Sequence, residues 1–189
     1  MKSSARWGAA LALFLTIGSL VLLAQQQVLG LDGKATDPFK KDSGQVVVLI
    51  FVRTDCPISN RYAPLIQQMS EKYVKEAHFY LVFPDKAESA KSIQAYLEEY
   101  HYSLQPLADP NHALAAKSGV KVTPEAAVYD AKRNLVYHGR IDNLYQEFGK
   151  TRRAATTHEL ADAIDAASRG SRPATESAAG IGCFIADVK

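Results

Sequence analysis

Residues 46–59 read VVVLIFVRTDCPIS, and the fold turns on them. The run from Val46 to Val52 is unbroken, apolar and largely β-branched. A run of that length predicts a strand buried on both faces, as in a largely parallel sheet. A helix start follows at once. Thr54 or Asp55 can cap it, and Pro57 suits the first helical turn. Downstream, Ile58, Tyr62, Leu65, Ile66, Met69 and Tyr73 recur at helical spacing and give one apolar face. Pro64 falls inside that helix and predicts a kink. Cys56 therefore stands where a strand hands over to a helix. Unpaired N–H groups and the partial positive charge of a helix start stabilise a thiolate, which is the nucleophilic form. The plain alternative is a small buried residue at a tight junction, a role cysteine also fills.

The rest of the chain continues the alternation. Residues 77–85 predict a second buried strand. Residues 86–102 predict a helix with Ile93, Tyr96, Leu97 and Tyr100 on one face. A short extended piece leads to a helix from about 111 to 117, stopped at Gly119. Residues 123–142 read as strand, turn, strand, with DAKRN as the connection. The last helix precedes Gly170, with Leu160 and Ile164 facing inward and Thr156 and Glu159 at capping-box spacing. Strands alternating with helices, then a hairpin and a helix, predict an α/β sandwich with a central mixed sheet flanked by helices.

With 189 residues, 47% of them hydrophobic, 22% charged and a net charge of +2, the composition is that of one globular domain. No basic stripe or charged tail points to nucleic acid. The N-terminus differs: Lys2 and Arg6 precede the uncharged run GAALALFLTIGSLVLLA. Residues 1–24 read as a cleaved signal peptide or as an uncleaved membrane anchor. Either places the remainder outside the cytoplasm, in a periplasmic or other extracytoplasmic space. Residues 25–44 are a polar linker and lead-in, 45–170 the domain, and 171–189 a loop-like tail carrying Cys183. Two cysteines are too few for a disulfide scaffold, but an oxidising compartment lets a pair meet. Four-ligand zinc sites need more clustered Cys and His, and neither a metal site nor a cofactor is expected.

A Thr123-Pro124 pair stands directly before a predicted strand, about 70 residues after Cys56. With the strand 46–52, Cys56 at the helix start and Pro64 eight residues on, this pattern resembles the thioredoxin fold. The similarity is to its redoxin branch of alkyl hydroperoxide reductase-like and peroxiredoxin-like proteins, over roughly residues 40–170. It implies a three-layer sandwich, a cis bond at Pro124 and contact between Pro124 and the active thiol. Three departures bear on activity. Ser59 stands where thioredoxins carry the second cysteine of C-x-x-C. Thr54 lies two residues before Cys56, where peroxiredoxins have threonine three before. Asn60 interrupts the C-x-x-x-C of copper-binding relatives, leaving His112 and His138 as isolated histidines.

The expected function is that of an exported thiol-dependent oxidoreductase acting through Cys56, by thiol–disulfide exchange or peroxide reduction. Its partners would be a peroxide, or a protein or small-molecule disulfide, and a protein reductant. Cys183, flanked by the glycines of AAGIGCFIAD, is a resolving cysteine, a static disulfide partner or a free thiol. The Ser59 hydroxyl can hydrogen-bond a Cys56 thiolate, while Asp55 places negative charge beside it. Arg53, Arg61 and Arg140 are candidates for stabilising a thiolate or a bound oxygen. A rival reading keeps the fold without catalysis, as an accessory module holding copper or a partner protein.

Overall fold

The computed structural model describes residues 28–40, 44–186 and 188. The expected signal or anchor segment at 1–24 lies outside the described residues. Among those described, no helix is long and apolar enough to cross a membrane.

The opening run forms β1 (Val46–Phe51), every residue of it buried. In chain order there follow α1 (Pro57–Lys72), β2 (Ala77–Phe83), α2 (Ala90–Glu99), β3 (Gln105–Ala108), α3 (Ala113–Ser118), β4 (Val122–Thr123), β5 (Glu125–Tyr129), β6 (Leu135–Gly139), β7 (Tyr145–Glu147), β8 (Lys150–Thr151), α4 (Glu159–Ser168), β9 (Ser177–Ala178) and β10 (Cys183–Phe184). The main sheet has the order β3-β2-β1-β5-β6-β9. β1, β2 and β3 run parallel, whereas β5 pairs antiparallel with both β1 and β6. The sheet is thus mixed, with β1 near its centre.

The central position explains the unbroken apolar run. Val46, Val48 and Ile50 point into one core, with Ile58, Tyr62 and Ile66 of α1, Ile93 of α2, and Leu160 and Ile164 of α4. Val47, Leu49 and Phe51 point into the other, with Leu114 of α3, Val28 and Ile185. Both faces of β1 leave water, and each fully buried side chain of this size contributes about 1.5–3 kcal/mol. Helices cover both faces of the mixed sheet, which is a thioredoxin-like sandwich.

Three local expectations change. The lead-in is docked: Leu29 bridges to Ala108, Val28 is buried, and Phe39 packs edge-on against Tyr129. The tail is likewise paired, β9 with β6 and β10 with β4. No capping box forms at α4, because Thr156 is engaged by Asn143 and Glu159 is already the first helical residue.

Candidate functional site

Cys56 is itself the N-cap of α1, with extended backbone (φ −86, ψ 112) and no side-chain cap bond. The neighbours expected to cap the helix do other work. Asp55 pairs with Arg53 at 2.9 Å. The Thr54 N–H donates to Glu88 Oε1 at 2.6 Å. The helix start is closed by backbone instead, with Asn60 N–H donating to the Cys56 carbonyl at 3.0 Å. This geometry puts the Cys56 sulfur under the end of β4. Its thiol donates to the Thr123 carbonyl at 3.1 Å, and the residue is wholly buried. The Thr123–Pro124 bond is cis.

The second sulfur arrives from the tail. β10 pairs antiparallel with β4, and Cys183 lies directly opposite Thr123. That register carries the Cys183 thiol to 2.7 Å from the Cys56 sulfur, across 127 residues of chain. Both are free thiols. Cys183 is half-buried and Phe184, beside it, is 79% exposed.

The surroundings set the two thiols apart. Burial works to raise the Cys56 thiol, but hydrogen bonds from Cys183 and from the N–H and hydroxyl of buried Ser59 outweigh it. Cys56 is held below the usual thiol range. Burial pushes the Cys183 thiol up to about 12, helped by its bond to Cys56 and by the charge there. Cys56 is thus the more acidic of the two thiols, and Cys183 the one that holds its proton more tightly.

The arginines divide. Arg53 pairs with Asp55 and Asp85 and donates to the Phe184 carbonyl at 3.5 Å, so it holds the tail. Arg61 is exposed on α1. Arg140 is engaged with Glu159. His112 contacts the Pro84 carbonyl at 3.0 Å through Nε2, and the His138 ring packs against Gly119. Among the described residues, no group of three or more His, Cys, Asp or Glu is placed to hold a metal.

Two carboxylates at the site escaped the sequence reading. Burial raises the Glu88 carboxyl above the usual range as it receives the Thr54 N–H. Glu125, directly after Pro124, is 6% exposed and accepts the Gly180 N–H of the tail at 2.9 Å. A glutamate opening an otherwise apolar buried strand was the available signal for the second.

Comparisons with known proteins agree with the fold. A model of the AhpC/TSA family matches residues 27–138. No curated protein matches the chain significantly. Among solved structures, the chain is similar to a hypothetical protein from Sinorhizobium meliloti, with a TM-score of 0.72 and 23% identity over 84% of this chain and 88% of that one. It is also similar to DsbF of Mycobacterium tuberculosis, described in mixed oxidized and reduced forms, with a TM-score of 0.51 and 25% identity over 59% and 81% of the two chains. A secreted disulfide oxidoreductase from the same organism, homologous to E. coli DsbE, has a TM-score of 0.50 and 22% identity over 59% and 80%.

Proposed function

The chain belongs to the AhpC/TSA family, and from that premise we propose that it is an exported thiol–disulfide oxidoreductase whose redox couple is Cys56 and Cys183. The observation that carries this reading is the 2.7 Å approach of the two sulfurs. Ser59 removes the usual local partner, and the tail supplies another in its place. Export is the part of the reading carried by Lys2, Arg6 and the apolar run behind them. The similarity to a secreted disulfide oxidoreductase supports it.

In the proposed cycle the Cys56 thiolate attacks one sulfur of a substrate disulfide. A mixed disulfide forms and the other substrate sulfur leaves as a thiolate. The loss of charge on Cys56 removes a cause of the high Cys183 value. Cys183 then gives up its proton and attacks the Cys56 sulfur. The Cys56–Cys183 bond forms, the second substrate sulfur leaves, and two electrons have passed to the substrate. An external thiol reductant reverses the bond in the protein.

Full-length protein should lose about 2 Da on air oxidation, reversibly with dithiothreitol. Cys56→Ser should abolish disulfide turnover. Cys183→Ser should stop after one turnover and accumulate a mixed disulfide on Cys56. Unchanged disulfide turnover in the Cys56→Ser protein overturns the reading. Fast consumption of hydrogen peroxide by the wild type, without disulfide turnover, overturns it in favour of peroxide reduction by the same sulfur.

A further inference from the structure

Cys56 is wholly buried beneath the tail, so a substrate meets it only when the tail lifts. What seats the tail therefore governs both halves of the proposed cycle. Its C-terminal part is held by strand pairing, with Ile185 N–H donating to the Lys121 carbonyl at 2.9 Å and the Ile185 side chain buried. The other part is held by a carboxylate. Glu125 Oε1 accepts the Gly180 N–H at 2.9 Å. Its Oε2 accepts the N–H groups of Lys121, at 2.9 Å, and Val122, at 3.4 Å. One side chain thus ties the tail to β4, the strand that sets Cys183 opposite Thr123.

The position is an expensive one for a charge. Glu125 sits in register with Phe51 and opens a strand whose remaining residues are Ala126, Ala127, Val128 and Tyr129. A carboxylate is tolerated there because backbone N–H groups surround it. The glycines of AAGIGC fit the same seat. A Cβ at Gly180 would lie 2.5 Å from Glu125 Cγ, and one at Gly182 would collide with the Thr123 carbonyl. The glycines let the tail lie flat against Thr123, Pro124 and Glu125.

We propose that Glu125 is the clasp of this tail: a positioning residue that sets the effective concentration of Cys183 at Cys56 and holds the cover over the buried thiol. The proposal rests on the Cys56–Cys183 couple for its redox consequence. It is independent of that couple for its structural one. Clasping makes formation of the internal disulfide a local event, and loosening it dilutes the attacking sulfur.

The test uses full-length wild type, Glu125→Gln and Gly180→Ala in glutathione buffers of graded ratio, with the internal disulfide read by intact mass after alkylation. Glutamine keeps the size of the side chain but replaces one acceptor oxygen with a donor. Both variants should need about tenfold more oxidising conditions to form the disulfide, a rise of about 30 mV in the potential of the couple. Amide exchange in a Cys183→Ser background supplies a readout that the redox couple does not enter. There Glu125→Gln should lose about tenfold protection at Gly180 and Ile185, while Val48 and Leu49 of β1 stay protected. A glutathione midpoint within twofold of wild type overturns the clasp. So does a loss of protection that spreads equally into β1. A wild type that forms no internal disulfide at any ratio would end the redox couple instead, and amide exchange would still decide the clasp.

Discussion

The two sulfurs of the site reach the same contact by opposite routes. Cys56 is placed by its own neighbourhood: β1 ends, the chain turns through five residues, and α1 begins. Its acidity also has a local source in Ser59, one helical turn away. Cys183 has no such neighbourhood. It is delivered across 127 residues by a two-residue strand, a buried isoleucine and a carboxylate. The junction is therefore rigid and the tail conditional. In the proposed cycle Cys56 keeps one place while Cys183 comes and goes.

The sharpest way to break this contrast is to unseat the tail without touching either sulfur. Gly182→Val places a branched side chain against the Thr123 carbonyl, which is backbone and cannot swing aside. Cys183 should then behave as a thiol on a loose tether. Disulfide formation in a fixed glutathione buffer should slow by about 100-fold. Alkylation of Cys56, now uncovered, should become faster. Timed quenching and intact mass follow both events. Wild-type disulfide formation in the valine variant would mean that the β4–β10 pairing does not place Cys183.

The same contrast explains what could be read from the sequence. β1, α1 and the position of Cys56 were legible because each is written in adjacent residues: an apolar run, a proline at the helix start, a helical apolar stripe. The Thr123-Pro124 site was legible only through resemblance to a fold, since nothing local ties it to a cysteine 67 residues earlier. The seating of Cys183 was not legible. Two-residue strands carry no periodicity, and tail glycines fit a mobile loop as readily as the close approach seen here. Glu125 went unread because its role depends on a distant donor: Lys121 and Val122 are local, but Gly180 comes from the tail. Arg140 shows the converse: a strand-end arginine that suited the site on paper is taken by Glu159, a partner the α4 capping box would have occupied.

A smaller effect sharpens the local half of the comparison. Ser59 is wholly buried, and alanine nearly matches its volume, so Ser59→Ala removes the hydroxyl bond to Cys56 together with the long bond, 3.5 Å, that this oxygen accepts from the Arg53 N–H. Hydrogen bonds to the charged form lower a thiol's pKa, so their loss raises it. In the reduced protein the pH midpoint for iodoacetamide reaction at Cys56 should lie below the ordinary thiol value of 9.0 and move upward in the alanine variant. At pH 7 the alanine variant should react roughly tenfold more slowly. Coincident profiles would remove Ser59 from the site and leave the acidity of Cys56 to Cys183, making the junction as dependent on the tail as the disulfide is.

The smallest effect is expected at Glu88, the carboxylate that receives the Thr54 N–H. Glu88→Gln retains a carbonyl oxygen for that bond, so the turn before Cys56 should keep its shape. Its charge is what changes. Burial raises the Glu88 carboxyl, so the folded protein holds this proton more tightly than the unfolded chain does. Stability from this group is full below the ordinary value of 4.5 and falls as pH rises through the folded value. The glutamine variant lacks that slope. Relative to wild type it should therefore gain stability as pH rises above 4.5, seen in urea titrations as a midpoint difference that is larger at pH 7 than at pH 4. Cys56 alkylation should stay within about twofold of wild type, because the donors that acidify the thiol are Cys183 and Ser59. If Glu88→Gln altered the thiol more than Ser59→Ala, control of Cys56 would reach back through Thr54 to the loop after β2. The junction would then depend on distant chain in the way the tail does.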